Sequence, residues 1–341
     1  MIKIVVLCTI ILLNACVKQE SGGGILFTDS TGRQVGVPAN IRRIVPSGTT
    51  AQMYLLAIAP DLLCSLSGRY TAELAEFIPE IVQKLPVTGQ LYGDQNMNPE
   101  TLAYLAPDLI LDVGEPKQTA ADDMEKLSRA TAIPAVHIAA TLHSTPDAFR
   151  LLGTLLGREA KGEELARFCE QALADSAFAV QQFGNKPSVL YCLGPMGTNI
   201  LAAGSFQAEA LDLMTHNIAV VHNPSASGTG NETDMEQIFL WNPDIIIFAP
   251  DSIYETAGSN QLWLRLEAIQ NGRYFRTPAG PYNWLASPPS INRYLGLLWL
   301  RTLLYDPEYD LYARTTEYYR LFYGYELSED HFNRLTSGSF R

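Results

Sequence analysis

The most regular pattern of apolar and polar positions lies between Arg158 and Phe183, where apolar residues recur at intervals of three and four. This is the period of an amphipathic helix. The stretch contains no proline and a single internal glycine, Gly162, and a stop signal, Gly184-Asn185-Lys186-Pro187, follows it. At 1.5 Å per residue the helix would span about 40 Å. The pattern therefore predicts one long helix that can connect two compact lobes.

A second pattern occurs once before and once after this helix. Residues 97–111 and 233–247 each read as a short helix that begins with a carboxylate, a Pro-Asp turn and a buried strand. Glu100 and Glu236 hold the equivalent position in the two segments. The repetition predicts two α/β lobes of related design.

Strands and helices alternate along both lobes, beginning with a hairpin pattern at residues 25–37 and strand patterns at 41–45 and 62–66. Such alternation implies mostly parallel sheets, whose ligand sites lie beyond the carboxyl ends of the strands. We therefore expect the loops that follow these strands to face one cleft. The loops concerned contain Ser47, Arg69, Tyr92, Glu115, Pro195 and Tyr282.

Composition narrows the class of protein. Of the 341 residues, 47% are hydrophobic and 18% are charged, which is ample material for two cores. The net charge of −12 argues against a nucleic-acid partner, whose phosphates require a basic surface. Three cysteines remain after the N-terminal segment, and their spacing shows no metal motif, so buried free thiols are predicted. They are Cys64, Cys169 and Cys192.

The N-terminus has the features of an export signal. Residues 2–13 are mostly apolar but too few to cross a bilayer, which needs about 20 apolar residues. Leu13-Asn14-Ala15-Cys16 resembles the bacterial lipobox, which implies lipidation of Cys16; ordinary secretion is the alternative. A polar, glycine-ending stretch follows, as expected for a tether.

These patterns divide the chain into six segments. They are a lipoprotein signal peptide (1–15), a flexible tether (16–24), an N-terminal α/β lobe (25–145), a short helix plus the long connecting helix (146–186), a C-terminal α/β lobe (187–325) and a C-terminal tail (326–341).

Several short motifs, in this order and behind a lipoprotein signal, resemble one family. They are residues 28–33 (TDSTGR) with Arg43-Ile44-Val45, Pro107-Asp108-Leu109-Ile110, Glu236-Gln237-Ile238 with Asn242-Pro243-Asp244, and residues 287–293 (SPPSINR) before 295–300 (LGLLWL). The sequence is similar to the substrate-binding proteins of bacterial ABC importers for iron-siderophore complexes, haem, vitamin B12 and some oxyanions.

The resemblance implies a fold of two Rossmann-like lobes with mostly parallel sheets, joined by a single long helix, as in class III periplasmic binding proteins. It implies a monomer, lipid-anchored on the periplasmic side, that delivers a solute to an inner-membrane ABC permease with its ATPase. By resemblance, Glu100 and Glu236 would dock into arginine pockets of that permease. Both are also explained as helix-start carboxylates stabilised by the helix dipole.

Candidate contacts to the solute are taken from the strand-end loops. Aromatic side chains with polar tips suit an organic chelate, although core packing is their ordinary alternative. Ser47, Thr49 and the backbone N–H groups at a helix start would suit an oxyanion instead. The predicted contacts are Ser47, Thr49, Arg69, Tyr70, Tyr92, Glu115, Met196, Tyr282 and Trp284.

No cofactor and no protein-bound metal are predicted, because the histidines show no ligand spacing. They are His137, His143, His216, His222 and His331. Family frequency favours an iron complex of siderophore type, and molybdate or tungstate, haem and a corrinoid stay open. A hydrolase is the alternative class, but the sequence has no G-x-S-x-G elbow. A surface adhesion lipoprotein is the other alternative, and it would not need a cleft.

Overall fold

The computed structural model describes residues 24–92, 96–225 and 228–340. The predicted signal peptide, Cys16 and nearly all of the tether lie outside this part of the chain. Within these three ranges no helix is both long and apolar enough to cross a bilayer.

The strands begin with an N-terminal hairpin and then fall into two sheets. They are β1 (Gly24–Thr28), β2 (Gln34–Pro38), β3 (Ile44–Pro46), β4 (Leu109–Gly114), β5 (Ala135–Ala139), β6 (Ser188–Leu193), β7 (Asn199–Ile200), β8 (His216–Asn217), β9 (Asn231–Glu232), β10 (Ile245–Phe248) and β11 (Tyr274–Arg276).

Helices precede or follow most of these strands. They are α1 (Thr49–Ile58), α2 (Ala72–Ala75), α3 (Glu80–Gln83), α4 (Pro99–Leu105), α5 (Ala120–Thr131), α6 (Thr145–Leu156), α7 (Glu159–Phe183), α8 (Glu209–Met214), α9 (Met235–Trp241), α10 (Tyr254–Ala257), α11 (Glu267–Gln270), α12 (Arg293–Leu304), α13 (Leu311–Tyr323) and α14 (Glu329–Leu335).

The first lobe contains a parallel sheet in the order β3-β4-β5. Its strands are apolar on both faces because helices cover both sides. In β4, Leu109, Leu111 and Val113 face the main core, whereas Ile110 faces a second core beneath α4 and α5. The exceptions to this apolar pattern are Asp112 in β4 and His137 in β5, which are both buried.

The second lobe contains a sheet in the order β11-β10-β6-β7-β9, and β8 also pairs with β6. β10 is parallel to β6 and β11, while the short β7 and β9 run antiparallel. The predicted fold class, two α/β lobes with mostly parallel sheets, is therefore confirmed.

The long helix predicted for residues 158–183 is α7, which begins at Glu159 and ends at Phe183. Its buried stripe packs against α6, α12 and α8, so it contacts elements that precede and follow it in the chain. Cys169 lies fully buried in this stripe. As predicted, the cysteines of the described ranges are buried free thiols, and burial raises the pKa of Cys64 to about 11.

The predicted repeat is also present, as α4 with β4 and α9 with β10. Asn98 and Asp234 accept N-cap hydrogen bonds from the backbone N–H groups of α4 and α9. The aspartates of the two Pro-Asp turns make equivalent hydrogen bonds. Asp108 accepts one from the N–H of Arg43 at 3.0 Å, and Asp244 accepts one from the N–H of Ser188 at 3.0 Å. Asp108, just before β4, thus holds the start of the neighbouring strand β3, and Asp244, just before β10, holds the start of the neighbouring strand β6.

Two segments differ from the sequence-based expectations. Residues 62–66 form no continuous strand, because Leu63 bridges to Ile44 and Leu66 bridges to Val87. The segment expected as a C-terminal tail contains α14, and the carbonyl of Ser339 accepts a hydrogen bond from the buried indole N–H of Trp299. The residues near Ser339 thus pack against the second lobe, whereas α14 contacts the first lobe through His331 and Glu76.

Candidate functional site

A cavity of about 270 Å³ lies between the two lobes, at the carboxyl ends of β3 and β4. Most of its wall comes from the first lobe, and the second lobe closes it with Phe206, Gln207, Gly228 and residues 287–289. The first-lobe residues that line it are Ser47, Gly48, Thr49, Thr50, Ala51, Gln90, Tyr92, Asp112, Val113, Gly114, Glu115, Lys117, Ala120 and His137.

The start of α1 forms one wall of this cavity. β3 ends at Pro46, Ser47 is held by a bond from its N–H to the carbonyl of Leu111, and Gly48 is the N-cap. The backbone N–H groups of residues 48–51 have no acceptor within the described ranges. Free N–H groups at a helix start attract negative charge, and the helix dipole adds to the effect. This wall is suited to an anionic oxygen.

A buried chain of polar side chains lies behind the same wall. Asp112 Oδ1 accepts a hydrogen bond from the Ser47 hydroxyl, and Asp112 Oδ2 lies 2.6 Å from His137 Nδ1. The β4–β5 register brings these residues together, since Asp112 and His137 are directly paired. His137 is 2% exposed, and its Nε2 atom has no hydrogen-bond partner in the described part of the chain.

This serine, aspartate and histidine do not have the geometry of a hydrolase triad. In a triad the histidine lies between the other two and accepts the proton of the serine. Here Asp112 is the central residue, and the Ser47 hydroxyl donates to the carboxylate. The arrangement gives a buried carboxylate two hydrogen-bond partners and orients Ser47 and His137.

Tyr92, Glu115 and Lys117 form another part of the wall. The Tyr92 hydroxyl donates to Asp123 at 3.1 Å, and the Lys117 ammonium lies 3.7 Å from the centre of the Tyr92 ring. Burial, together with the charges of Asp112 and Asp123, raises the pKa of Tyr92 above its ordinary value. The phenol therefore stays protonated, and this part of the wall carries one cation and one carboxylate.

A second cavity of about 650 Å³ adjoins the first. The two share Gly228 and Ser287, and the second is lined by strand-end loops of the second lobe, including Pro195 and Asp251. Tyr282 also lines it, and burial raises the pKa of Tyr282 to about 12. The cleft therefore has a small polar compartment and a larger, more apolar one.

The structure brings together several of the predicted contacts. Ser47, Thr49, Tyr92 and Glu115 line the polar cavity, and Tyr282 lines the adjoining one.

The other predicted contacts lie elsewhere. The guanidinium of Arg69 donates to the carbonyls of Gln83 and Leu85, and the Tyr70 hydroxyl accepts from Gln52 at 2.5 Å. Met196 is largely exposed, and Trp284 is fully buried in the main core. None of these four side chains lines either cavity.

Sequence reasoning missed Asp112, His137 and Lys117. A signal was available for two of them, because Asp112 and His137 are the polar residues inside the otherwise apolar strand sequences LILDVG and AVHIA. Within the described ranges, no cluster of three or more His, Cys, Asp or Glu side chains could hold a metal ion.

Glu100 and Glu236 lie outside the cleft, in the first turns of α4 and α9. Both side chains are exposed. Neither has an ion-pair partner among the residues that the structure describes.

The family model described as "Periplasmic binding protein" matches residues 56–281. No curated protein matches the sequence. An ABC transporter solute binding protein from Sulfurospirillum deleyianum DSM 6946 is 26% identical, with a TM-score of 0.82 over 92% of this chain and 99% of that one.

Two further structures share the fold at lower identity. A periplasmic solute binding protein from Veillonella parvula DSM 2008 is 23% identical, with a TM-score of 0.75 over 92% of this chain and 97% of that one. The molybdate-bound periplasmic binding protein MolA of Haemophilus influenzae is 18% identical, with a TM-score of 0.71 over 89% of this chain and 99% of that one.

Proposed function

This chain belongs to the periplasmic binding protein family, and from that premise we propose that its solute is a small oxyanion held in the cavity at the start of α1. Proteins of this family bind solutes for ABC importers, and this chain is a solute-binding protein of that kind. The identity of the solute is the open question.

The observation that carries the proposal is the polar cavity itself. Residues 48–51, whose backbone N–H groups are free, line a space of about 270 Å³, and Thr49 also carries a hydroxyl. Since water in the liquid takes up about 30 Å³ per molecule, the space suits a five-atom oxyanion with a few waters. Donors to a charged acceptor contribute about 1.5–3 kcal/mol each, so a few of them supply useful affinity.

The charges of the walls are compatible with an anion. The two carboxylate oxygens of Asp112 are taken up by hydrogen bonds with Ser47 and His137, so they do not point unpaired into the cavity. Glu115 and Lys117 both line the cavity, so its wall carries a cation as well as this carboxylate. The related fold of the Haemophilus influenzae protein was solved with molybdate, and molybdate and tungstate are therefore the first oxyanions to test.

A second candidate is an iron complex of siderophore type. The observation in its favour is the adjoining cavity of about 650 Å³, which contains Tyr282 and several prolines. A chelate with many heavy atoms needs this larger compartment, since pockets for drug-sized ligands are usually about 300–1,000 Å³. In this case the polar cavity would receive only an edge of the complex.

Delivery requires a partner in the membrane. We propose that Glu100 and Glu236 dock into cationic pockets of the permease, and that the lipid on Cys16 holds the monomeric protein at a membrane of the cell envelope. Equivalent charges on two lobes fit a partner with two equivalent surfaces.

Reversal of both charges, at Glu100 and Glu236, is expected to abolish uptake and leave solute affinity unchanged. Unaltered uptake would contradict docking.

Thermal unfolding of the purified protein against a solute panel tests the choice of solute. The panel contains molybdate, tungstate, a ferric siderophore, haemin and cobalamin, with sodium chloride of equal ionic strength as the control. A solute at a hundredfold excess over its Kd should add about 2.7 kcal/mol of stability, a shift of several degrees. A shift with molybdate or tungstate supports the oxyanion. A shift with the ferric siderophore alone would replace it by the second candidate, and a shift with none would contradict both.

A further inference from the structure

Two of the most exposed large apolar side chains lie in the two repeated helices. Tyr104 in α4 is 89% exposed and Leu240 in α9 is 80% exposed. Each follows the proposed docking glutamate of its helix by four residues, since Glu100 precedes Tyr104 and Glu236 precedes Leu240. The same pair of chemistries, a carboxylate and a large apolar group, therefore occurs once on each lobe.

Helical geometry places each pair on one outward face. Residues four apart lie one above the other on a helix, whereas residues two apart lie on nearly opposite sides. The residue between the members of each pair is Leu102 in α4 and Ile238 in α9, and both are completely buried. Burial of this middle residue fixes the rotation of the helix, so the glutamate and the apolar side chain both point to solvent.

Both helices begin beside the cleft. The N–H of Asn98, the N-cap of α4, donates to the carbonyl of Thr88, and the N–H of Met97 donates to the carbonyl of Gln90, which lines the polar cavity. In the second lobe, α9 follows β9, and the chain just before β9 contributes Gly228 to the same cavity. The two outward faces therefore flank the cleft, one on each lobe.

A single exposed apolar residue on a protein surface is common and requires no explanation. Here, however, the exposure is repeated at equivalent positions of two helices that are otherwise different in sequence. In both cases it adjoins an exposed carboxylate that has no ion-pair partner in the described ranges. A partner with two equivalent surfaces accounts for this repetition, whereas the packing of either lobe does not require it.

We propose that Tyr104 and Leu240 are apolar anchors for the permease of the importer, each inserting into an apolar depression beside the cation that receives Glu100 or Glu236. The proposal rests on the docking role proposed for the two glutamates, and it extends that role to a composite surface on each lobe. The carboxylates supply orientation and a fast encounter. The desolvated apolar groups supply resistance to dissociation, as buried anchors do in other interfaces.

The test measures binding of the protein to the permease–ATPase complex in nanodiscs, using the complex whose ATPase activity the unaltered protein stimulates. Tyr104→Ser and Leu240→Ser are each expected to weaken binding about tenfold, within the range of interface anchors. The weakening should appear in the dissociation rate, and the salt dependence of the affinity should stay the same. Phe178→Ser is the matched control, because Phe178 is also a large apolar side chain and is 60% exposed. It lies near the end of α7 that leads to the amino end of β6, whereas the cleft lies at the carboxyl ends of the strands.

Charge-reversed variants separate the two levels of the proposal. Glu100→Arg with Glu236→Arg should abolish binding if the glutamates dock; retained binding would overturn the docking role together with its extension. If charge reversal abolishes binding while Tyr104→Ser and Leu240→Ser bind like the Phe178→Ser control, the apolar anchors are refuted and glutamate docking stands. Unfolding temperature and solute affinity should be unchanged in both serine variants, since neither side chain is buried.

Discussion

Thr49, the first residue of α1, offers the cavity two different donors. Its backbone N–H belongs to the free first turn of the helix, and its hydroxyl donates to Gln90 Oε1 over 3.3 Å, a long bond that a better acceptor can replace. Thr49 and its partner Gln90 both line the polar cavity. The contributions of side chain and backbone can therefore be measured separately at one position.

Substitution of Thr49 is expected to lower oxyanion affinity in two steps. Thr49→Ala removes the hydroxyl and should weaken molybdate binding several-fold. Thr49→Pro also removes the N–H, and it should weaken binding by a further factor of about 10 or more, since one donor to a charged acceptor contributes about 1.5–3 kcal/mol. Proline is compatible with the first helical position, so the helix should persist. Isothermal titration calorimetry measures both steps.

The control for this pair is Thr49→Ser, which keeps both donors and should bind nearly as well as the unaltered protein. Equal affinities for the alanine and proline variants would show that the backbone N–H of residue 49 does not contact the solute. If all three variants bind like the unaltered protein, the solute does not lie at the start of α1.

The site residues that could be predicted are those whose position follows from the local order of strands and helices. Ser47, Thr49, Tyr92 and Glu115 follow predicted strands or begin a helix, and a chain-order argument was enough to place them. Asp112 and His137 depend on which strand lies beside which, and this pairing is made by residues 25 positions apart. A hydrophobic pattern contains no such register, so the sequence could not show that these two side chains meet.

At the level of elements, the close packing of α6 against α7 depends on Gly162. Gly162 lies where the two helices are closest, and a Cβ atom there would be 2.5 Å from the carbonyl oxygen of Phe149 and 3.2 Å from Gly153 Cα. The sequence pattern shows Gly162 only as an interruption in a good helix. The structure shows that its missing side chain allows the helices to pack.

Gly162→Ala is expected to destabilise the protein, although alanine favours helix by about 1 kcal/mol. The added methyl group would press against a backbone carbonyl, and overpacking usually costs about 1–3 kcal/mol. A net loss of roughly 1 kcal/mol in the free energy of unfolding should follow, measured by urea denaturation.

Gly36→Ala is the matched control, since Gly36 in β2 has open space around its Cβ position. It should leave stability unchanged or slightly higher. A gain of stability from Gly162→Ala would refute the close approach of the two helices.

At the scale of the whole molecule, the lobes are joined by more than the long helix. The backbone of Leu142 is held from both sides, because its N–H donates to Glu209 at 2.7 Å and its carbonyl accepts from the Tyr294 hydroxyl at 2.6 Å. Arg293, fully buried, pairs with the same Glu209 at 2.6 Å. These bonds tie the first lobe to α8 and α12, which restricts rotation of one lobe against the other.

A second contact acts near the C-terminus. The ring of Phe77 in the first lobe lies 5.0 Å from that of Tyr325, and Glu76 lies 2.9 Å from His331 of α14. Phe77 is buried, Tyr325 is half-buried and their rings meet edge-to-face, a favourable arrangement. The first lobe therefore has a second set of packed contacts with the C-terminal part of the chain.

Solute binding is expected to change the overall shape very little. With the lobes joined by α7, the Leu142 bonds and the Phe77 cluster, the radius of gyration should change by less than about 1 Å, as in other pre-organised complexes. Small-angle X-ray scattering with and without saturating molybdate measures this change, or with the ferric siderophore if that solute stabilises the protein. A compaction of several ångströms would show that the interlobe contacts open in the free protein.

The sequence by itself determined the local and repeated features of this protein: the long helix, the two-lobe α/β fold, the repeat, the buried thiols and the strand-end loops. Each of these depends on residues close together in the chain, where periodicity and turn chemistry act directly. The tertiary structure alone decided which loops form one cavity, that Trp284 and Arg69 lie away from it, that Asp112 joins Ser47 to His137, and that the last residues pack on the second lobe. Those features arise from contacts between distant segments, whose partners are selected by the packing of the whole core.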